Sequence, residues 1–287
     1  MIKLFVSDLD GTLFNSKGEL SEKTIEAIKR FQESGGTFMV GTGRDLWDTD
    51  QISSRIDNVV YNCAHGAAMY NSNHEAYFKH KLDRSDLLSI EMEAIKYDVP
   101  VMFHGTDRIY VTTDSDVFVS RAKDTFRKSF PEEMLDSVAN YFINSNMSFG
   151  VNIQDILNKD ILNAEICFIR ENDHKRLYER IKYLLKDVHA VSSDFMMNIE
   201  ITSKDAGKDK AVVEYSMMNG IDINEIVVIG DSENDVEMLS YFNNSFAMKN
   251  GVKEAKDAAK YLADSNDEDG VANLLNKICD DNMELIV

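Results

Sequence analysis

The sequence is short of proline, glycine, cysteine and basic residues, and each shortage excludes something. Only 2 prolines and 14 glycines among 287 residues argue against long linkers and low-complexity tracts. The 31 lysines and arginines are outnumbered by 50 aspartates and glutamates, giving a formal charge of −19. That charge would repel nucleic acid and anionic membrane surfaces. A small phosphorylated ligand is compatible with it only where a cation or a nearby lysine reverses the local field.

The sequence also lacks cysteine spacings typical of disulfides, and it lacks long apolar runs. The cysteines, Cys63, Cys167 and Cys279, are odd in number and form no CxxC pair, which predicts reduced thiols. No apolar run approaches the roughly 20 residues that a membrane-spanning helix needs. The chain starts with a predicted strand instead of an apolar signal segment. We therefore expect a cytoplasmic protein without nucleic-acid or membrane partners, and the sequence leaves the oligomeric state open.

What the sequence does contain is an alternation of strands and helices. The apolar run over 2–6 predicts a buried strand, and the helical spacing of Ile25, Ile28 and Phe31 predicts a helix over 21–34. Later apolar runs predict strands at 37–40 and 58–61 and a small hairpin at 67–70 and 76–78. This rhythm favours a parallel sheet with right-handed crossovers.

The regular alternation of strands and helices changes in the middle of the chain. Between about 82 and 188, strand-like runs such as 101–104 mix with helical patterns such as 85–97. We interpret residues 82–188 as an inserted α+β domain, so that 1–81 and 189–287 together form the core domain. The core rhythm is expected to return with the following elements: a strand at 198–201, a helix at 207–218, a strand at 225–229, a helix at 233–241, and two short βα units starting at 245 and 261.

Two carboxylates follow the first predicted strand. Asp8 and Asp10 are separated by one residue and stand just before Gly11, and ligands of α/β sheets bind beyond the carboxyl ends of the strands. One acid could attack an electrophile or hold a cation while the other moves a proton. Because Asp-Gly is a common turn pair, two solvated acids in a hairpin are the alternative.

Two further elements could grip a phosphoryl group. In Gly41-Thr42-Gly43-Arg44, a hydroxyl and glycine-flanked backbone N–H groups could bind its oxygens, although an ordinary strand-to-helix turn explains the same residues. Lys208 opens a predicted helix, where a cation opposes the macrodipole and so suggests an anionic partner. A solvated surface lysine is the alternative.

The fourth element follows the most apolar strand of the sequence. In Gly230-Asp-Ser-Glu-Asn-Asp235, Asp231 and Asp235 share one face at a helix start, where they could simply cap the helix. With Asp8 and Asp10 they would gather four carboxylates in one crevice, which requires a cation. Oxygen-only ligands favour Mg²⁺. The consistent order of the four elements along the chain favours the functional interpretation.

These motifs resemble those of haloacid dehalogenase (HAD) superfamily phosphatases, and more narrowly the Cof-type, subclass IIB hydrolases. The resemblance covers essentially the whole chain. It rests on DLDGTL at 8–13, TGR at 42–44, GDSENDVEML at 230–239, and the late pieces AMKN at 247–250 and DEDGV at 267–271. It implies an α/β fold in which a Rossmann-like parallel-sheet core carries an inserted α+β cap domain of the C2 type.

The resemblance also implies a reaction and a metal. Asp8 would attack phosphorus to form an aspartyl-phosphate, while Asp10 would protonate the leaving alcohol and then activate water. Mg²⁺ would be held by the Asp8 carboxylate, the Asp10 backbone carbonyl and Asp231. Asp235 would hold this shell in place, directly or through water. The implied function is a Mg²⁺-dependent phosphatase of small phosphomonoesters, such as sugar phosphates or phosphorylated cofactors.

The remaining implied contacts concern the substrate. Thr42, Gly43 and Lys208 would bind phosphoryl oxygens, and Asn234 and Asn250 would contact the substrate or the residues around the metal. A phosphomutase and a phosphosugar-binding or regulatory protein with little turnover are the alternative functions.

Departures from the family pattern occur close to these residues. Asp209 replaces a usual glycine and adds negative charge beside Lys208. His65 stands where relatives often have asparagine; it could meet the substrate or serve as a structural histidine. Ser232-Glu233 replaces a frequent glycine, a change that we expect to be harmless.

Overall fold

The computed structural model describes residues 1–127, 130–193, 197–281 and 283–284. The chain divides into two units. The core unit comprises Met1–Lys79 and Ala206–Val287, and the inserted unit comprises His80–Asp205. Among the described residues, no helix has the length and apolar character needed to cross a lipid bilayer.

The regular elements follow one another in an α/β order. The strands in the described ranges are β1 (Leu4–Ser7), β2 (Thr37–Gly41), β3 (Val60–Cys63), β4 (Ala68–Tyr70), β5 (Ala76–Lys79), β6 (Val101–Gly105), β7 (Ile109–Val111), β8 (Met147–Ser148), β9 (Ile161–Ile166), β10 (Val188–Ser193), β11 (Asn198–Ser203), β12 (Ile226–Gly230), β13 (Asn244–Met248) and β14 (Tyr261–Ala263). The α-helices are α1 (Glu22–Glu33), α2 (Asp50–Ser53), α3 (Arg84–Tyr97), α4 (Ser115–Phe126), α5 (Glu132–Asn144), α6 (Ile153–Ile156), α7 (Glu171–Leu184), α8 (Lys208–Asn219), α9 (Val236–Tyr241), α10 (Lys253–Ala258) and α11 (Gly270–Asp280).

A mostly parallel sheet organises the core unit. Its strand order is β14-β13-β12-β1-β2-β3-β4-β5, with parallel pairing from β14 to β3 and antiparallel pairing in the β3-β4-β5 hairpin region. β1 and β12 are buried along their whole length, as expected for strands covered on both faces. The predicted parallel sheet and hairpin are confirmed.

The register of this sheet determines where the motifs lie. Ser7 at the end of β1 pairs with Ile229 of β12 on one side and Val40 of β2 on the other. Because parallel strands end at a common edge, the residues that follow β1, β2 and β12 emerge side by side. β3 ends at the same edge, since Gly41 pairs with Asn62.

Helix α1 shows how local sequence produces a helix that packs against the core sheet. Its first turn is capped by the Ser21 hydroxyl, which accepts from the Thr24 N–H at 3.1 Å. The predicted apolar stripe, Ile25, Ile28 and Phe31, is buried, and α1 runs along α11. The predicted helix over 21–34 is therefore confirmed to within a residue at each end.

The inserted unit is built on a different sheet. Its order is β10-β11-β9-β6-β7-β8, and every pair except β7-β8 is antiparallel. Helices α3 and α7 bury one side of it, so that Leu87, Ile90, Leu177 and Ile181 share a core with Ile166. This arrangement is α+β in character.

Two strands, β10 and β11, lie in a different unit from the one expected, because the predicted core segment began at residue 189. β11 was predicted as the first strand of the returning core rhythm, within a core segment 189–287, yet it pairs antiparallel with β9 and β10. The core unit resumes only at Ala206. The reason is visible in the alternation of β11: Ile199 and Ile201 face the core of the inserted unit, as in a strand with one covered face.

Candidate active site

The loop after β1 brings two acids to the sheet edge in different settings. The Asp8 N–H continues the strand pairing by donating to the Ile229 carbonyl at 3.0 Å, and its side chain is buried. Gly11 then turns the chain with a left-handed φ of 81°, which favours glycine. A Cβ at this position would also collide with the Asp231 carboxylate, so Gly11 allows the first and fourth motifs to meet.

A buried ammonium joins two of the acids. Lys208 Nζ lies 2.7 Å from Asp8 Oδ1 and 2.7 Å from Asp235 Oδ1, and the three side chains are 2%, 7% and 0% exposed. Burial alone would lower the pKa of Lys208, but Asp235 and Asp8 together raise it above its ordinary value. The lysine therefore stays charged, and the alternative of a solvated surface lysine is excluded.

The position of Lys208 follows from the start of α8. It is the first residue of that helix, after Gly207, and its carbonyl accepts from Asn62 Nδ2 at 3.1 Å. A cation at a helix N-terminus is unfavourable, and here the two carboxylates offset that cost. The third N–H of the ammonium points to Asn234 Oδ1 at 3.2 Å.

Three carboxylates form a group suited to a cation. One oxygen from each of Asp8, Asp231 and Asp235 lies within 4.8 Å of the other two. Burial, which outweighs Lys208, raises the pKa of Asp8 to about 8, with further increases from the charges of Asp235 and Asp231. Burial also raises the pKa of Asp231, against a hydrogen bond from the Thr12 hydroxyl at 2.7 Å. Crowded, desolvated carboxylates of this kind fit an oxygen-binding cation such as Mg²⁺.

Asp235 differs from the other two because both its oxygens are engaged by protein donors. Oδ1 accepts from Lys208, and Oδ2 accepts from the backbone N–H groups of Asp231 at 3.0 Å and Ser232 at 3.1 Å. This carboxylate thus fixes the turn that carries Asp231. Its role at a metal, directly or through water, stays a prediction.

Asp10 lies outside this group of carboxylates. Its side chain is 58% exposed, and Arg44 grips it with two parallel hydrogen bonds, Nε to Oδ2 at 2.8 Å and Nη2 to Oδ1 at 2.7 Å. Arg44 also reaches Asp48 Oδ2 at 3.2 Å and stacks over Phe14, 5.6 Å from the ring centroid. Sequence reasoning assigned no role to Arg44, although its place in the TGR motif was the available signal.

Thr42 and Gly43 form the second element at this edge. Thr42 is buried; its N–H donates to the Asn62 carbonyl at 2.8 Å, and its hydroxyl accepts from the Arg44 N–H at 3.1 Å. The imidazole of His65 occupies the space beside Gly43 where any Cβ would collide with it. The structure therefore brings Thr42 and Gly43 to the same edge as Asp8.

The two asparagines are exposed, and each also forms hydrogen bonds that brace the site. Asn250 Nδ2 donates to the Gly11 carbonyl at 2.7 Å, and its Oδ1 accepts from the Asn266 N–H at 3.0 Å. Asn234 Oδ1 accepts from Lys208 and from the Ser232 hydroxyl at 2.8 Å. Asn250 thus supports the loop that carries Asp8 and Asp10, and Asn234 positions the ammonium.

Asp209, the unusual residue after Lys208, lies in the first turn of α8. A carboxylate there is favourable to the helix macrodipole. Its Oδ1 is buried without a hydrogen-bond partner among the described residues. The favourable interaction with the helix dipole is therefore opposed by the cost of a buried oxygen without a partner.

Comparison with known proteins agrees with this geometry. Residues 5–275 match the family of haloacid dehalogenase-like hydrolases. A Bacillus subtilis 5-amino-6-(5-phospho-D-ribitylamino)uracil phosphatase is 24% identical, covering 96% of this chain and 98% of its own. A second B. subtilis phosphatase is 27% identical, covering 96% of this chain and 100% of its own.

Solved structures give the same fold. A haloacid dehalogenase-like hydrolase from B. subtilis matches with a TM-score of 0.79 and 24% identity, over 96% of this chain and 99% of that one. The subclass IIB sugar phosphatase BT4131 matches with a TM-score of 0.73 and 23% identity, over 96% of this chain and 99% of that one. The predicted fold class and family resemblance are confirmed. The chain belongs to the haloacid dehalogenase-like hydrolase family.

Proposed function

We propose that this chain is a Mg²⁺-dependent phosphatase that hydrolyses small phosphomonoesters through an aspartyl-phosphate on Asp8. The observation that carries the proposal is the buried arrangement of Asp8 against Lys208, with Asp231 at the same sheet edge. The named relatives are phosphatases, which supports the reaction class. A carboxylate held beside an ammonium is suited to attack phosphorus, because the positive charge stabilises the charge that develops on the phosphoryl oxygens.

The acidic group fits the metal that the family implies. The carboxylates of Asp8 and Asp231 and the backbone carbonyl of Asp10 would hold Mg²⁺, and Asp235 would keep Asp231 in position. The ion supplies positive charge that favours ionised Asp8 and draws charge from the phosphoryl group.

The reaction then divides between two aspartates. An oxygen of ionised Asp8 forms a bond to phosphorus while the ester P–O bond breaks, and protonated Asp10 gives its proton to the leaving alkoxide. Asp10, now a carboxylate, takes a proton from the water that attacks the aspartyl-phosphate. The Asp8–phosphorus bond breaks, and inorganic phosphate leaves. Since a carboxylate gripped by Arg44 only accepts hydrogen bonds, Asp10 must exchange this contact during the cycle.

Phosphoryl oxygens would be bound by the two remaining elements. The Thr42 hydroxyl and the Gly43 N–H offer donors at the sheet edge. Lys208 offers its third N–H, whose contact to Asn234 at 3.2 Å is the longest of its three. We propose that a phosphoryl oxygen replaces this contact.

We further propose sugar phosphates or phosphorylated cofactors as substrates, in keeping with the small phosphorylated substrates named for relatives. The formal charge of −19 opposes nucleic acids as partners. The cysteines Cys63, Cys167 and Cys279 are all free, which supports a reducing compartment such as the cytoplasm.

The test is phosphate release from a panel of sugar phosphates and phosphorylated cofactors, with and without Mg²⁺. We expect Asp8→Asn to lower turnover by at least about 10³-fold while the thermal unfolding curve keeps its cooperative shape. Asp50→Asn, at an exposed aspartate of the same unit, is the matched control and should retain activity. Near-normal turnover of Asp8→Asn would refute the covalent mechanism.

The products of the same assay separate the alternatives. An isomerised sugar phosphate in place of free phosphate would identify a phosphomutase. Tight binding of a sugar phosphate without either product, by protein that binds Mg²⁺, would identify a binding protein.

A further inference from the structure

The turn after β3 has an unusual backbone. Ala64, His65 and Gly66 have consecutive left-handed φ values of 50°, 55° and 89°. For the two residues that carry a Cβ, this conformation costs on the order of 1 kcal/mol each and persists only where the surroundings impose it. A strained turn at a strand end is a common feature of ligand sites, and this one lies at the edge where Asp8 and Thr42 emerge.

The loop that carries Thr42 and the start of α8 both impose the turn. On one side, the Ala64 N–H donates to the Arg44 carbonyl at 2.9 Å and the His65 N–H donates to the Thr42 carbonyl at 3.1 Å. On the other side, Gly66 packs so closely on Gly207 that a Cβ would collide with the backbone there. The turn is thus fixed between the Thr42 loop and the start of α8.

The imidazole of His65 is the side chain that this turn presents. Its Cε1 and Nε2 edge lies against Gly43, which has no side chain to displace it. His65 is half-buried, whereas its neighbours from Val59 to Tyr70 are all buried. The turn therefore places one partly exposed polar ring against Gly43, next to the buried Thr42 in the chain.

From this geometry we infer that His65 recognises the organic part of the phosphorylated ligand, by a hydrogen bond between its imidazole and a hydroxyl group next to the phosphoester. The inference rests on the proposed function, since it takes Thr42, Gly43 and Lys208 as the phosphoryl site. The half-buried His65 ring lies against Gly43 of this group, and an imidazole can donate or accept a hydrogen bond. The ligand class is a phosphorylated polyol or sugar.

The experiment removes the ring without disturbing the backbone. His65→Gly tolerates the left-handed φ, and His65→Asn tolerates it while keeping a shorter polar group. His74→Gly is the matched control, because His74 also has a left-handed φ, 63°, but lies in the exposed β4-β5 connection. Binding of glucose 6-phosphate, ribose 5-phosphate and inorganic phosphate is measured by calorimetry on an Asp8→Asn background, where turnover is not required.

We expect His65→Gly to weaken the better-bound sugar phosphate about tenfold, the effect of one lost hydrogen bond, and to leave inorganic phosphate within about twofold. His65→Asn should recover part of the loss, and His74→Gly should change neither ligand. In the active protein, the KM for that sugar phosphate should rise while the KM for 4-nitrophenyl phosphate, which lacks a hydroxyl, stays constant.

Three results would overturn the inference. Equal weakening of inorganic phosphate would place His65 at the phosphoryl group, and unchanged binding of all ligands would make it a structural residue. Sugar phosphates that bind no tighter than inorganic phosphate to the parent protein would show that nothing beyond the phosphoryl group is recognised. None of these results depends on phosphate release, so a failure of the proposed phosphatase activity would be recognised separately.

Discussion

The two units bury carboxylates in contrasting ways. In the core unit, Lys208 is 2% exposed and lies between two buried aspartates. In the inserted unit, the Glu93 side chain is 5% exposed, but its partners Lys96 and Arg180 are 53% and 44% exposed. A wholly buried ion pair is rarely a gain in stability, because desolvation offsets the attraction. The core arrangement therefore supports the proposed role in ligand binding, whereas the partners of Glu93 remain solvated.

Sheet topology explains why the acids gather in one unit only. Parallel strands of the core unit end at a common edge, so Asp8 and Asp231, which follow β1 and β12, become neighbours. In the mainly antiparallel sheet of the inserted unit, successive strands end at opposite edges. Within the described ranges, a group of three potential metal-binding acids is found only in the core unit.

The largest expected effect is the difference in stability loss between removing the buried Lys208 and removing the half-exposed Lys96. Lys208→Met leaves the Asp235 carboxylate buried without its cation, and we expect it to lower the free energy of unfolding by about 3–5 kcal/mol. Lys96→Met removes a half-exposed partner of Glu93 and should cost at most about 1 kcal/mol. Urea unfolding of metal-free protein at pH 7 measures both. Similar losses in the two variants would show that the burial of the cation makes no difference.

The second expected effect is a dependence of stability on pH that Mg²⁺ removes. Burial raises the pKa of Asp8 from 3.8 to about 8, so folded metal-free protein holds this proton more tightly than unfolded protein does. The stabilisation is complete below about pH 4 and is lost as the pH rises to about 8. We expect metal-free wild type to lose melting temperature across this window relative to Asp8→Asn, which cannot titrate there.

Mg²⁺ should reverse that loss, since it binds ionised Asp8. Its affinity should fall roughly tenfold for each pH unit below 8, because binding must displace the proton. Melting curves of wild type and Asp8→Asn, recorded from pH 5 to 9 with and without Mg²⁺, give both quantities. A wild type whose stability runs parallel to that of Asp8→Asn at every pH would contradict the raised pKa.

Sequence reasoning succeeded where local patterns were sufficient. The strand before Asp8, the helix after Ser21 and the most apolar strand before Asp231 each follow from a short window, and their shared edge follows from parallel pairing. It failed for β11, because a strand followed by a helix reads as a βα unit whichever sheet the strand joins. Only its pairing with β9, more than thirty residues earlier, reveals the unit.

The hydrogen-bond partners of the side chains at the site could not be predicted from sequence for the same reason. Nothing near Asp10 in sequence indicates that Arg44 grips it, and nothing near Asn250 indicates that it supports Gly11. Both contacts join residues that only the folded sheet brings together. The catalytic and ligand-binding roles assigned to these side chains stay predictions.

The smallest expected effect concerns Arg44, compared with an arginine of the inserted unit. Arg44 holds Asp10 with a two-pronged contact, whereas Arg121 pairs with Asp98 through Nη2 at 2.6 Å, and Asp98 is 72% exposed. Lysine supplies a single charge in place of the planar fork, so Arg44→Lys leaves Asp10 with more than one orientation. We expect kcat for the best substrate of the panel to fall about tenfold, with KM little changed. Arg121→Lys should keep kcat within about twofold.

The direction of the change in kcat distinguishes two roles for the contact between Arg44 and Asp10. If the two hydrogen bonds from Arg44 hold Asp10 in the orientation needed for catalysis, weakening them slows both proton transfers, and kcat falls. If these hydrogen bonds instead hold Asp10 away from the substrate, the same substitution releases Asp10 and raises kcat. Melting curves of Arg44→Lys and Arg121→Lys control for stability, since each variant keeps its positive charge. A fall in kcat confined to Arg44→Lys would make Arg44 a positioning residue for Asp10, and a rise would make it a restraint that the substrate must release.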